Sequence, residues 1–491
     1  MYTIELEDVQ GYVLREYENM KFSRFALLKA SDPHKARIWI NSICGQITNA
    51  EKVKKDELPE IALNIGFAKD GLLSLGLSEA NLESFSPPFK EGMVTPHRQR
   101  LLGDIDSSDP EKWEWGNPDK NPAEIILLVF GKDKETCLNY YEKLQRNFEA
   151  HGLVATRNLD GLTLKDNKEH FGFRDGIAQP IVKGSGRTGP DYNCVNPGEF
   201  ILGYENNYLV FPDSPAIFKE QGDVNMLPPS GARPGLRDLG KNGTYMIIRQ
   251  MQEDVDGFWT FMKDRTKKED GSIDEDASIK LASQMFGRWP SGAPLSKFPD
   301  KDPGGASDDN DFLYYDDDRS GAKCPFGSHL RRMNPRDNFE HDSPEKSIIL
   351  SNRHRLMRRA RLYGDPIIGS PTNHKPDGDV GIYFTCFGAD ISRQFEFLQY
   401  TWSNYPKIKQ LYFDPDPIIG VVENPEVKTV GYGNDRHEEK QLQQFTIQGE
   451  PYNKTVKDLK RFVTIRGGAY FFFPSITSIR YLCTILPEKE S

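Results

Sequence analysis

Residues 124–150 read EIILLVFGKDKETCLNYYEKLQRNFEA, and this stretch decides the fold class. After Glu124 an unbroken apolar run extends to Phe130, which has strand length and is far too short to cross a bilayer. Beyond Lys132 and Asp133 the pattern turns helical, with Cys137, Tyr140, Tyr141, Leu144 and Phe148 recurring at helical spacing. The same strand-to-helix unit occurs twice upstream. Phe25 to Lys29 is a short apolar run, after which Ser31, Asp32 and Pro33 start a helix carrying Ala36, Ile38, Trp39 and Ile43. Ile61 to Phe67 leads past Lys69 and Asp70 into another helical stretch. A β-α-β-α-β-α order with unevenly spaced strands predicts an α+β fold, with helices packed on a sheet. A parallel doubly wound sheet is the alternative, but no glycine-rich phosphate loop follows the first strand.

Downstream the periodicity dissolves. From about residue 157 to 240 the chain is dominated by turn sequences such as KDNKEHFGFRDGIAQP, GSGRTGPDYN and LPPSGARPG. Long irregular stretches in a compact chain are functional or disordered, and the interleaved Phe171, Phe173, Phe200, Tyr204 and Phe211 argue against disorder. Helix returns over Phe258 to Asp264 and Ala277 to Phe286. Gly381 to Phe387 reads as a strand, and Ile391, Phe395, Leu398 and Trp402 then recur at helical spacing. The final FVTIRGGAYFFFPSITSIRYL reads as strand, turn, strand and short helix. Two α+β halves of similar element order suggest an internal duplication.

Composition excludes several classes. With 63 Lys+Arg against 73 Asp+Glu the net charge is -10, which argues against a nucleic-acid footprint or a polybasic membrane anchor. No window approaches the ~20 apolar residues of a membrane span. The N-terminus carries no basic-then-apolar leader and the C-terminus no lipidation box, so the expected location is cytoplasmic. The short tail after Leu486 offers no docking extension for a protein shell. The 6 cysteines are scattered without a CxxC pair, which points to free thiols rather than a zinc knuckle or disulfide framework.

Three segments could carry chemistry. His329 lies in CPFGSHLRRMNPR beside Arg331, Arg332 and Arg336, a density of positive charge that a bare His and carboxylate metal site tolerates poorly. Haem fits such a segment, since its iron takes an axial imidazole and its propionates accept arginine contacts. An ion-paired surface is the other reading, with Asp316, Asp317 and Asp318 just upstream. In Gly172-Phe173-Arg174-Asp175-Gly176 two glycines allow sharp turns that bring a carboxylate close to a ligand. The third segment, His354 to Gly364, is dense in arginine but lacks stacking aromatics suited to nucleic acid. His170 and His341 complete the set of candidate imidazoles.

GFRDG, CPFGSHLRRMNPR and RRARLYG together resemble, in order and spacing, the dye-decolourising peroxidases, a family of haem peroxidases, and most of all its longer-chain members. DVQGYVL, FKEGM, LLGD with WEWG, EFILGY, GTYMIIRQMQEDVDGFW, FGRWPSGAPL, QFEFLQYTW and RGGAYFFFPS agree, so the resemblance covers nearly the whole chain. It implies two ferredoxin-like α+β domains, with haem b (iron protoporphyrin IX) held in the C-terminal half. The domains expected are residues 1–165, a loop-rich segment 166–240 carrying GFRDG over the haem, and 241–491 with insertions.

Carried onto this chain, the resemblance makes His329 the proximal iron ligand, Asp175 the distal carboxylate and Arg358 the distal arginine. Arg332 matches a position that binds a haem propionate, while Ile382 and Phe384 match apolar residues lining the distal pocket. Tyr363 and Trp402 match positions of oxidisable residues that relay electrons to haem, and Glu396 on the QFEF helix is the candidate carboxylate partner for His329. The family usually reads RRG-x-P-Y-G where this chain has Ala360 and Leu362, which leaves the path of that loop open. The activity implied is reduction of hydrogen peroxide to water through a ferryl intermediate, with oxidation of dyes and phenols. A haem carrier or iron-release protein would use the same pocket without peroxide turnover. A non-haem iron site would need two of His329, His341 and His354 with a carboxylate.

Overall fold

Strands β1 (Phe22–Ala30), β2 (Ile61–Phe67), β3 (Ile125–Gly131) and β4 (Leu153–Leu162) form an antiparallel sheet in the order β4-β1-β3-β2. Strands β5 (Thr244–Glu253), β6, split into Met357–Arg358 and Arg361–Tyr363, β7 (Gly381–Gly388) and β8 (Val463–Phe473) form a second, in the order β8-β5-β7-β6. Both orders are the ferredoxin-like pattern in which the first and third strands lie centrally. This computed structural model describes all residues except Met1, 55–56, 165–166, 340–342, 366–371, 373–375, 377, 410, 422–425, 431–436, 442 and 486–491.

The two sheets are not separate layers. Leu362 of β6 pairs with Leu162 of β4, and Phe472 of β8 with Phe67 of β2, so the sheets join at both edges into one closed barrel. Second strand meets fourth strand at each seam, which is the relation expected of two similar halves facing one another. Closure removes the exposed edges that each sheet alone would present.

Burial follows the two-residue period of the strands. Phe25, Leu27, Ile126, Leu128, Phe130, Met246, Ile248 and Phe471 fill the barrel interior with Tyr12, Tyr17 and Trp115. Their neighbours Ala26, Leu28, Ile125, Leu127, Val129 and Ile247 face outward. In the N-terminal half they meet helices α1 (Pro33–Ile43) and α2 (Lys134–Ala150). Covering on both faces explains why β3 is an uninterrupted apolar run. Asp32 caps α1 by accepting from Lys35 N at 3.1 Å, and Asp133 caps α2 by accepting from Thr136 N at 2.8 Å. Ile38, expected on the apolar face of α1, is 50% exposed, whereas Trp39, Ile40 and Ile43 turn inward.

In the C-terminal half, helices α3 (Val255–Arg265), α4 (Glu275–Phe286) and α5 (His329–Met333) follow β5, and α6 (Ile476–Cys483) closes the fold. The Ile391 to Trp402 stripe is buried as expected, but on π-helical turns Ser392–Glu396 and Leu398–Asn404. Residues 163–243 contain little regular structure beyond two-residue strand pairs and short 3-10 turns. Among the described residues no helix is long and apolar enough to cross a membrane.

One loop and one turn of the sequence reading are strand in the structure. RRARLYG is strand β6, interrupted at Arg359 and Ala360, where the chain shifts before pairing with β7 resumes. Leu362 therefore stands at a ladder position between Leu162 and Ile382, where its side chain suits a strand better than proline would. The RGG near the C-terminus is likewise no turn. β8 runs through it with a bulge between Ile465 and Gly467. A Cβ on Gly467 would lie 2.5 Å from Trp115 Nε1, the atom that donates to Gln250 Oε1 at 2.7 Å. Gly467→Val is expected to lower stability by about 1 to 3 kcal/mol through overpacking, measured by urea unfolding. Wild-type stability in this variant would show that the indole is not what requires glycine there.

Candidate haem and peroxide site

The outward face of the C-terminal sheet carries a cavity where the N-terminal sheet carries helices. Met251 and Glu253 of β5, Ile382 and Phe384 of β7 and Val463 of β8 form its floor. Its other walls come from the 169–178 loop, α5 and the π-helical turns. Strand alternation accounts for this: Tyr383 and Phe387 fill the barrel, so Ile382 and Phe384 must face the other way.

His329 is the first residue of α5 and lines the cavity. Its Nδ1 is 2.8 Å from Asp416 Oδ2, which leaves the other ring nitrogen for a ligand. Asp416 is fully buried, and its second oxygen accepts the backbone N–H groups of Ile418 at 2.9 Å and Ile419 at 3.1 Å. Burial alone would raise this carboxyl, but His329, Arg332 and the Ile419 N–H outweigh it and hold the group below the usual carboxylate range. Glu396 is not the partner of His329. It is buried between Arg98 and Tyr470, whose hydroxyl donates to it at 2.9 Å.

Asp175 and Arg358 meet in the same cavity, with Arg358 Nη1 donating to Asp175 Oδ1 at 3.1 Å. Gly172 and Gly176 on either side take φ of 97° and 86°, a region closed to most residues, and this lets the loop turn the carboxylate inward. Arg358 precedes the break in β6 and reaches the cavity. Arg359 points away and donates to the carbonyls of Tyr12 and Val13, while Arg361 holds Met20 O at 3.0 Å. The arginine-rich stretch thus staples the N-terminal segment to the barrel through Arg359 and Arg361 and lines the cavity with Arg355 and Arg358.

The basic cluster around His329 serves the fold. Arg332 was expected at a propionate, yet it lies outside the cavity. It is buried, and it donates to the carbonyls of Trp402, Ser403, Tyr405 and Asp414. Arg331 is paired with Asp318 at 2.7 Å, and Arg336 donates to Asn310 O and Phe312 O. Besides Arg358 and Arg174, the cavity is lined by Arg288 and Arg355, to which sequence reasoning gave no role. Arg355 is 6% exposed and donates to Asn193 Oδ1 at 2.8 Å and weakly to Ala178 O. Burial, then Arg336 and Arg358 nearby, push it down to about 9.

The remaining candidates sit elsewhere. His170 is buried against the Tyr363 carbonyl at 2.8 Å. His354 stacks on Phe397 at 3.9 Å, where burial lowers its pKa. His341 lies outside the described residues. Tyr363, expected in a polar loop, is 6% exposed inside the barrel, 4.8 Å from the Tyr383 ring. Trp402 is 1% exposed and packs with Phe339, His354 and Phe397.

Comparison with known proteins bears on this arrangement. The model of the DyP dimeric alpha+beta barrel domain matches residues 8–161. A dye-decolorizing peroxidase of Mycena epipterygia is 28% identical over 459 residues, covering 88% of this chain and 78% of that protein. Over most of its length the chain is similar to dye-decolourising peroxidases. A multifunctional dye peroxidase of Amycolatopsis is 24% identical, with 97% of this chain and 96% of the relative covered. Among solved structures, the dye-decolourising peroxidase of Auricularia auricula-judae shares the fold at a TM-score of 0.75 and 22% identity, covering 98% of this chain and 100% of that one.

The dye-decolourising peroxidase family implies a haem cofactor, and the donor set fits one. An imidazole with a free nitrogen, a largely apolar floor of Met251, Ile382, Phe384 and Val463, and a buried arginine held by Asn193 and the Ala178 carbonyl match an iron, a porphyrin ring and a propionate respectively. A buried cation held only by neutral groups is costly, whereas one saturated by backbone carbonyls is a structural tie. In the haem-free chain, Arg355→Met is therefore expected to leave stability unchanged or raise it, while Arg332→Met loses about 2 to 4 kcal/mol by urea unfolding. Equal losses in the two variants would assign Arg355 to the fold as well.

Proposed function

We infer that this chain is a haem peroxidase that reduces hydrogen peroxide to water at the expense of dyes and phenols. The observation that carries this reading is the Asp175–Arg358 pair facing the same cavity as His329, whose other nitrogen is tied to Asp416. The two-electron balance is H2O2 + 2 e⁻ + 2 H⁺ → 2 H2O. Bound haem would supply an iron that takes peroxide as a ligand and passes on electrons one at a time.

The chain's own groups supply the rest. His329 would hold the iron, with Asp416 fixing the tautomer and making the imidazole a stronger donor. Asp175 would take the proton from the near peroxide oxygen and return it to the far one, directly or through a water. The guanidinium of Arg358 would stabilise the negative charge developing on the departing oxygen. Ile382 and Phe384 would exclude water beside that pair, which strengthens its field. Arg355, in place of Arg332, would take a propionate. We assign haem b, since the sequence contains no CxxCH for thioether attachment.

The division into 1–165, 166–240 and 241–491 belongs to the same proposal, supported by the residue ranges of the two sheets. A cytoplasmic location is supported by six free cysteines. Phenolic reductants are supported by a solved dye-decolourising peroxidase in complex with 2,6-dimethoxyphenol, 23% identical with a TM-score of 0.75. A haem carrier would not need the Asp175–Arg358 pair, which makes that reading the weaker one.

His329→Ala is expected to purify with little haem, while Asp175→Asn and Arg358→Leu keep it and react with peroxide about 10²- to 10³-fold more slowly in stopped flow. Full haem in the first, or wild-type rates in both others, would refute the site.

Bulky dyes need a route for electrons to the haem, and neither Tyr363 nor Trp402 reaches the surface. Tyr400 and Tyr405, on the chain beside Trp402, are 56% and 48% exposed. Trp402→Phe should lower turnover of an anthraquinone dye and leave the peroxide reaction unchanged. An equal loss in both steps would give Trp402 a packing role only.

A further inference from the structure

Two buried carboxylates line the cavity beside Asp175, and the mechanism above leaves them without a task. Glu169 and Glu253 are each 8% exposed. Glu169 accepts the N–H of Phe171 at 2.8 Å on one oxygen and that of Phe173 at 2.7 Å on the other. Glu253 ends β5, and its Oε2 is buried with no hydrogen-bond partner among the described residues. The groups facing the pair are Asp175, Lys168, the Tyr363 phenol and the His170 backbone N–H. The guanidinium of Arg358, which lines the same cavity, is committed to Asp175.

Two buried carboxylates in one cavity, with the partly exposed Lys168 as the cation facing them, cannot both ionise at ordinary cost. Burial and then mutual repulsion push Glu253 far up. Glu169 rises to about 8, through burial first and despite its two N–H donors. Glu169 also lines a second cavity, shared with Asp175 and Arg358, that reaches the exposed Glu18.

The peroxide reaction needs what such a pair can give. Asp175 moves a proton that peroxide already carries, from one oxygen to the other, so the two further protons in the balance must come from outside. Electrons delivered by a bulky reductant at the surface bring no protons into the cavity with them. We propose that Glu169 and Glu253 form a shared-proton pair that feeds Asp175 and is refilled from solvent through the second cavity. Each donation leaves one carboxylate charged, and uptake past Glu18 restores it. This role rests on the peroxidase reading of the site, and the two glutamates act through Asp175 without touching peroxide.

The test has two arms. In the first, infrared spectra at about pH 7 of haem-free and haem-loaded protein are expected to show a carboxylic-acid C=O band that shifts in D2O and weakens in Glu169→Gln and Glu253→Gln. Absence of that band in the wild type overturns the pair. In the second, the pH profile of peroxide turnover by the holoenzyme should fall on the alkaline side in the wild type. Both glutamine variants should be slowed about 10- to 100-fold and lose that limb, whereas Glu253→Asp retains it. An unchanged profile in both glutamine variants overturns the relay. If the wild-type holoenzyme consumes no peroxide while the infrared band is present, the peroxidase reading fails, and the relay with it, although the pair itself stands.

Discussion

Closure of the barrel is the constraint on which the rest of the structure depends. Each four-stranded sheet has an outer face and an inner face, and the inner faces are lined with Phe, Ile and Leu. The inner faces are removed from water by each other and by the Tyr12–Leu14 segment packed between them. The Leu162–Leu362 and Phe67–Phe472 seams are therefore where two similar halves become one core. With the inner faces committed to each other, only an outer face is left for a ligand. The N-terminal sheet has filled its outer face with α1 and α2, and the C-terminal sheet holds its helices further off and keeps the space between.

The same economy governs charge. A buried guanidinium has five N–H groups to satisfy, and this chain satisfies most of them with backbone carbonyls exposed by its many irregular segments. Arg332 gathers 402–414, Arg359 and Arg361 hold the 12–20 segment, and Arg336 fixes 310–312. In a protein with so much loop, arginine does the work that ladder hydrogen bonds do elsewhere. That is why the arginine cluster around His329 was a poor guide to where an anion would bind.

Legibility in the sequence followed periodicity. The three strand-to-helix units of the N-terminal half were readable because Ile125 to Phe130 and its two counterparts carry a one-dimensional pattern, and their caps are local. The path of Met357 to Tyr363 was not readable, because strand pieces of two and three residues on either side of a break leave no period to detect. The His329, Asp175 and Arg358 positions came from resemblance to motifs, and the structure adds which groups support them. Asp416 is 87 positions from His329 and looks, in FDPDPIIG, like an ordinary turn aspartate. Glu169 was hidden for the opposite reason: beside GFRDG it reads as a solvated charge, and only the fold reveals that it is buried.

The second cavity divides ownership between the halves in an unequal way. Its inner end is made by Asp175 and Arg358, but its rim is Glu16, Glu18, Leu162 and Thr163, residues of the N-terminal half. The half that holds no candidate ligand for iron therefore shapes the doorway. Substitutions in that rim can change which small molecules arrive, and how fast, while the reacting groups stay as they are. A duplicated architecture of this kind lets selection tune access in one copy and chemistry in the other, with a single hydrophobic core shared by both.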